Sequence, residues 1–166
     1  MSFRIKQQIN FLKEYFFYTS KKIIPSTDQI RKIIKIKNNL IMAHKNGKKI
    51  MIFGNGGSAS IASHFSVDLT KNAKLRSVNY NEADLITCFS NDYGYEKWVE
   101  MTIKFYGDKG DILIVISTSG MSKNIINGIN PTIVITINCH QPDLLASCNL
   151  LAPAAIAGIN VAMAVI

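Results

Sequence analysis

Gly54-Asn55-Gly56-Gly57-Ser58 follows a short apolar run at 50–53 and precedes a stretch compatible with a helix. The apolar run reads as a buried strand. A strand that feeds a glycine-rich turn opening a helix is a way to build an anion site. Glycine lets the backbone approach the ligand closely, and the first helix N–H groups point at it. A second turn of this kind, Ser117-Thr118-Ser119-Gly120-Met121-Ser122-Lys123-Asn124, follows the apolar run 112–116. The first turn offers backbone N–H groups, the Asn55 amide and the Ser58 hydroxyl. The second offers the hydroxyls of Ser117, Thr118, Ser119 and Ser122 at a helix start. Two such turns in one small domain suggest a pocket for a phosphorylated metabolite. Neither carries Lys followed by Ser or Thr in the nucleotide-loop spacing, and Gly54-Asn55-Gly56-Gly57 is not the dinucleotide fingerprint, so neither cofactor class is favoured. Taken singly, each turn also reads as a tight turn capped by serines.

His64 and Asp68 lie four apart in the helix expected after the first turn, which puts them on one face. Imidazole and carboxylate together can bind zinc or work as acid and base; alternatively they form an ordinary hydrogen-bonded surface pair. Asn91 and Asp92 follow an apolar run at 84–88 that reads as a strand. They either cap a helix starting near Tyr93 or bind sugar hydroxyls at a strand's carboxyl end.

The elements that must position these residues alternate. Two amphipathic helices are expected at 3–18 and 28–46, separated by a break at Pro25 with Ser26 or Thr27 as N-cap, the second ended by Gly47. Strands are expected at 49–53, 84–88, 111–116 and 132–137, and helices at 58–71, 93–106, 122–129 and 154–165. Strands alternating with helices predict an α/β fold, a mostly parallel sheet covered by helices, with ligands outside the carboxyl ends of the strands. The crossover from Ser122 to Thr132 is near the lower limit for a helical connection between parallel strands. The two leading helices are too apolar to stand alone, and a helical oligomer core is a natural use for them.

At 166 residues a single domain is the default, and 48% hydrophobic residues can bury a real core. The net charge of +8 raises nucleic acid as a partner, but the lysines are spread along the leading helices among Ile and Leu, as on a solvated helix face. Nucleic acid is therefore not an expected partner. Cys88, Cys139 and Cys148 are odd in number and lack metal spacing, so reduced thiols in a cytoplasmic protein are expected rather than a disulfide framework. No apolar leader follows Met1-Ser2-Phe3-Arg4, so no secretory signal is expected. Residues 144–166 carry no charge, but Asn149, Pro153, Gly158 and Asn160 interrupt them. They read as a buried strand and helix rather than a membrane span.

Three stretches, in this order and spacing, resemble the phosphoheptose isomerases of the sugar-isomerase (SIS) fold. They are Gly54–Ala59 with His64, Ser90–Tyr95, and Gly110–Gly120 with Ser122 and Asn124. The likeness covers about residues 25–137. It implies a flavodoxin-like three-layer α/β/α sandwich forming a single SIS domain over 1–166. Within it, 1–47 would supply helices for oligomerisation and 48–166 the α/β core. It also implies conversion of sedoheptulose 7-phosphate to D-glycero-D-manno-heptose 7-phosphate for lipopolysaccharide or capsule, a cytoplasmic homotetramer, and zinc. By the same resemblance, Asn55, Gly56, Gly57, Ser58, Asn91 and Asp92 contact substrate, and Ser117, Thr118, Ser119 and Ser122 cradle the phosphate. His64 matches a zinc ligand, and Asp68 stands where the family has a Glu that is both ligand and catalytic carboxylate. The family's last helix carries a Gln and a His that complete the metal site; residues 154–166 have neither, and His140 and Gln141 lie in an earlier segment. The alternative these departures imply is a non-catalytic SIS module that binds a sugar phosphate or a protein partner such as a replication initiator.

Overall fold

The structure, a computed structural model, describes residues 3–129, 133–137 and 160–165, the last two segments by their backbone. Two helices lead, α1 (Phe3–Ile23) and α2 (Thr27–Lys45). The start of α2 is fixed by a capping box. The Ser26 hydroxyl accepts the Gln29 N–H at 3.3 Å, and the Gln29 side chain accepts the Ser26 N–H at 2.6 Å. Its end is the expected one, with Gly47 at φ +75° just beyond the Asn46 cap.

From there the chain alternates through β1 (Ile50–Gly54), α3 (Gly57–Lys71), β2 (Ser77–Asn79), α4 (Ala83–Tyr93), a short 3₁₀ turn (Tyr95–Lys97) and α5 (Trp98–Tyr106). Then come β3 (Ile112–Ser117), α6 (Lys123–Ile129), β4 (Ile133–Ile137) and β5 (Asn160–Val165). The sheet order is β2-β1-β3-β5-β4. β2, β1 and β3 are parallel, and β5 runs antiparallel to both β3 and β4.

Alternation along β1 and β3 sends side chains to opposite faces. Ile50, Ile52, Ile112, Ile114 and Ile116 form one core with Leu40, Ala43, Ala62 and Leu69 from α2 and α3. Met51, Phe53, Leu113 and Val115 form the other with Trp98, Val99, Ile103 and Ile125 from α5 and α6. The result is the expected three-layer α/β/α arrangement.

At the amino ends of β1 and β3, Lys49 is 6% exposed and its ammonium pairs with Asp108 at 2.7 Å and with the buried Asp111. Asp111 also accepts the backbone N–H groups of Lys49 and Asp108. Burial alone would pull the Lys49 pKa down, but the two carboxylates outweigh it and hold the ammonium above its ordinary range. The same hydrogen bond from Lys49 holds Asp108 below the usual carboxylate range.

Three sequence expectations change. The run 84–88 is not a strand but part of α4, because Leu85, Ile86 and Phe89 stand at helical spacing and pack on the second core. The expected helix 93–106 is divided: Gly94, at φ +88°, ends α4, and the 3₁₀ turn then leads into α5. Residues 160–165 of the expected helix 154–165 form β5, held between two strands whose pairing overrides the helix propensity of an alanine-rich run. Residues 154–159, His140, Gln141, Cys139 and Cys148 lie outside the described residues. Among the described residues, Cys88 is a free, exposed thiol, and no helix is long and apolar enough to cross a membrane.

Candidate functional site

The register Gly54↔Ile116 brings the carboxyl ends of β1 and β3 level, so the two glycine-containing turns lie side by side. The first turn needs its leading glycine. A Cβ at Gly54 would stand 2.4 Å from the Ser58 carbonyl oxygen, so no side chain fits while α3 starts this close to the strand. Gly56, at φ +52°, takes the left-handed conformation that lets the chain turn into α3. The Ser58 and Ala59 N–H groups fold back on the Asn55 and Gly56 carbonyls, at 2.9 and 3.0 Å. Asn81 braces the turn from outside. Its carboxamide accepts the Gly54 N–H at 3.3 Å and donates to the Gly54 carbonyl at 2.7 Å.

In the second turn, the Ser117 hydroxyl oxygen accepts the Gly120 N–H, and that of Ser119 accepts the Met121 N–H, both at 3.1 Å. Each hydroxyl keeps its own O–H to donate. Ser122 precedes α6 and its carbonyl accepts the Ile126 N–H at 3.0 Å, the first bond of the helix.

The two turns are joined. Asn55 donates to the Asn124 side-chain oxygen at 2.9 Å, and Asn124 donates back at 2.8 Å. The Tyr95 hydroxyl donates to the same Asn55 oxygen at 3.3 Å. Asn124 and Tyr95 fall inside the motifs that carry the resemblance, yet the sequence assigned them no role. A buried asparagine on an otherwise apolar face of α6 was the signal available, but its partner lies 69 residues away.

His64 and Asp68 meet as their spacing requires, with His64 Nε2 3.6 Å from Asp68 Oδ2. Asp68 also accepts from the Asn72 amide at 3.0 Å. Asp68 is not beside the turns of this chain. Asp68 is 11 residues beyond Gly57 on α3, about 16 Å along the axis at 1.5 Å per residue. At that depth the Thr70 hydroxyl bonds the Ser77 carbonyl, and Ser77 pairs with Ile50 at the opposite, amino end of β1. Two donors also fall short of the three or four protein ligands of a zinc site. Among the described residues no group of three or more His, Cys, Asp or Glu is placed to hold a metal. Asn91 and Asp92 are exposed on the last turn of α4 rather than after a strand. Asn91 donates to Asp92 at 3.0 Å, and the pair caps no helix start.

The fold and these turns define an α/β/α domain with two adjoining glycine-containing turns at the carboxyl edge of its sheet. The chain belongs to the SIS domain family, whose sequence profile matches residues 16–132. The phosphoheptose isomerase of Helicobacter pylori (strain ATCC 700392 / 26695) is 36% identical over 124 residues, 70% of this chain and 65% of that protein. The phosphoheptose isomerase of Fusobacterium nucleatum is 34% identical over 118 residues, 68% of this chain and 61% of that one. Among solved structures, a phosphoheptose isomerase from Francisella tularensis superposes with a TM-score of 0.67 at 26% identity, covering 74% of this chain and 68% of that one. The Neisseria gonorrhoeae phosphoheptose isomerase gives 0.65 at 25% identity, covering 76% and 67%. The chain spans less than two thirds of the length of the curated relatives it matches.

Proposed function

We propose that the protein is a cytoplasmic sugar-phosphate aldose–ketose isomerase acting on sedoheptulose 7-phosphate to give D-glycero-D-manno-heptose 7-phosphate, for lipopolysaccharide or capsule heptose. The observation that carries this reading is the junction of the two turns, Asn55 of one bonded to Asn124 beyond the other, in a SIS domain whose curated relatives are phosphoheptose isomerases. The phosphate sits against the O–H groups of Ser117, Thr118, Ser119 and Ser122. The sugar runs toward Asn55, Gly56, Gly57 and Ser58, with Asn91 and Asp92 as further contacts.

Isomerisation removes a proton from C1 of the ketose, passes through an enediol and returns a proton at C2, while the O1 hydroxyl proton moves to O2. Asp68 is the carboxylate assigned to the carbon proton, with His64 beside it for the hydroxyl proton. Because His64 and Asp68 lie about 10 and 16 Å down α3 from the turn, the pair serves a sugar held by another copy, and the active form is an oligomer, a homotetramer by resemblance. The exposed aromatic face of α1 supports assembly: Phe11 is 67% and Phe16 65% exposed, and a groove of about 270 Å³ runs beside Phe11, Tyr15 and Tyr18. Among the described residues His64 and Asp68 have no third His, Cys, Asp or Glu placed to complete a zinc site.

The test is incubation of the oligomeric protein with sedoheptulose 7-phosphate, with the aldose product followed by NMR. A second reading, a non-catalytic SIS module, is favoured by the two-donor His64/Asp68 pair. Calorimetric binding of the sugar phosphate with no aldose formed would select it.

A further inference from the structure

We propose that Asn124 and Tyr95 are positioning residues that lock the Asn55 carboxamide, so that Asn55 meets the sugar as a hydrogen-bond donor and never as an acceptor. The inference rests on the proposed sugar-phosphate reading of the two turns but goes beyond it, because it concerns residues that reading gives no task.

A carboxamide has two acceptor positions on its oxygen and two N–H donors. Both acceptor positions of Asn55 are taken, by Asn124 Nδ2 at 2.8 Å and the Tyr95 hydroxyl at 3.3 Å. One Asn55 N–H is spent on Asn124 Oδ1 at 2.9 Å, which leaves one N–H for a ligand oxygen. Asn124 is 2% exposed and held on α6, so the reciprocal amide pair fixes the plane of the Asn55 carboxamide. Tyr95 reaches the same oxygen out of the 3₁₀ turn. A donor held in this plane suits an acceptor oxygen of the ligand, and with the phosphate placed at the serine hydroxyls the oxygen left for Asn55 is a sugar carbonyl or hydroxyl. The lock therefore acts on the sugar end of the ligand.

Tyr95→Phe removes one hydroxyl from a ring that is 54% exposed, and Asn124→Ala removes the reciprocal pair. Affinities for sedoheptulose 7-phosphate and for inorganic phosphate are measured on each, alongside the melting temperature and the ¹⁵N–¹H signals of the Asn55 side chain. Tyr95→Phe is expected to weaken sedoheptulose 7-phosphate roughly 2–10-fold, the loss of one hydrogen bond. Inorganic phosphate binding and melting temperature should stay unchanged, while the Asn55 amide signals shift. Asn124→Ala should lose slow exchange of the Asn55 N–H and widen the gap between the two ligands. Equal weakening of both ligands, or no change in either with unmoved Asn55 signals, overturns the proposal. Should Asn124→Ala fail to fold, Tyr95→Phe decides alone. Wild-type protein that binds no sugar phosphate would defeat the isomerase reading. The Asn55 signals in Tyr95→Phe would then still decide the lock: a shift sustains it, and none overturns it.

Discussion

At the scale of single residues, the serine turn carries the sharpest expectation. The hydroxyl oxygens of Ser117 and Ser119 already accept backbone N–H groups, and their O–H groups remain to donate. Ser119→Ala is expected to weaken sugar-phosphate binding by about 1 kcal/mol or more, one hydrogen bond to a charged group. Isothermal titration measures this. If the variant melts earlier yet binds phosphate as before, the serine is only a turn residue. Asp68→Asn is expected to abolish aldose formation while leaving phosphate affinity intact, because Asp68 is remote from the serine turn; a progress curve and a titration on the same sample separate the two effects. The glycines, serines and asparagines of both turns were legible as tight turns at strand ends because their types favour such turns. The partners of Asn55 were not, since spacing along a sequence reports contacts within one helix or strand and not across 69 residues.

At the scale of elements, the approach of α3 to β1 depends on Gly54. Gly54→Ala would push a methyl group against the Ser58 backbone at 2.4 Å. It is expected to cost about 2 kcal/mol or more, read as a lower midpoint in urea unfolding. The ends of β1 and β3 are tied by Lys49, Asp108 and Asp111. Asp111→Ala leaves the buried Lys49 with only an exposed partner and should cost about 3 kcal/mol. The tie also has a pH signature. Lys49 is raised above its ordinary 10.5, so its contribution is present below that value and is lost as pH climbs through the raised pKa. Asp108 is lowered below its ordinary 3.8, so its contribution is present above that value and is lost as pH falls through the lowered pKa. Lys49→Met should lessen the loss of melting temperature at both the acid and the alkaline end.

Strands β1, β3 and β4 were legible as apolar runs ended by turn residues. The run 84–88 was misread because a short apolar segment has no period of its own, and only its packing with Phe89 shows the helix. β2 was missed because three residues, Ser77–Asn79, leave no pattern to read.

At the scale of the whole molecule, α1 leaves Phe3, Phe11, Phe16, Phe17 and Tyr18 more than half exposed, more apolar surface than a lone subunit of this size leaves without purpose. Light scattering over a dilution series should give a multiple of the 18.5 kDa chain mass, and Phe11→Asp with Phe16→Asp should shift it to the monomer and abolish turnover. A monomer at every concentration in the unmutated protein would refute the shared-site reading. The level ends of β1 and β3 have a thermodynamic consequence. A ligand that touches both turns can bind only while these two strands are paired, so its binding energy is added to the stability of that pairing. At about 100 times its dissociation constant such a ligand adds roughly 2.7 kcal/mol. Slowed hydrogen exchange at Phe53 and Val115, neighbours in the paired register, would then report occupancy of the turns without any assay of chemistry.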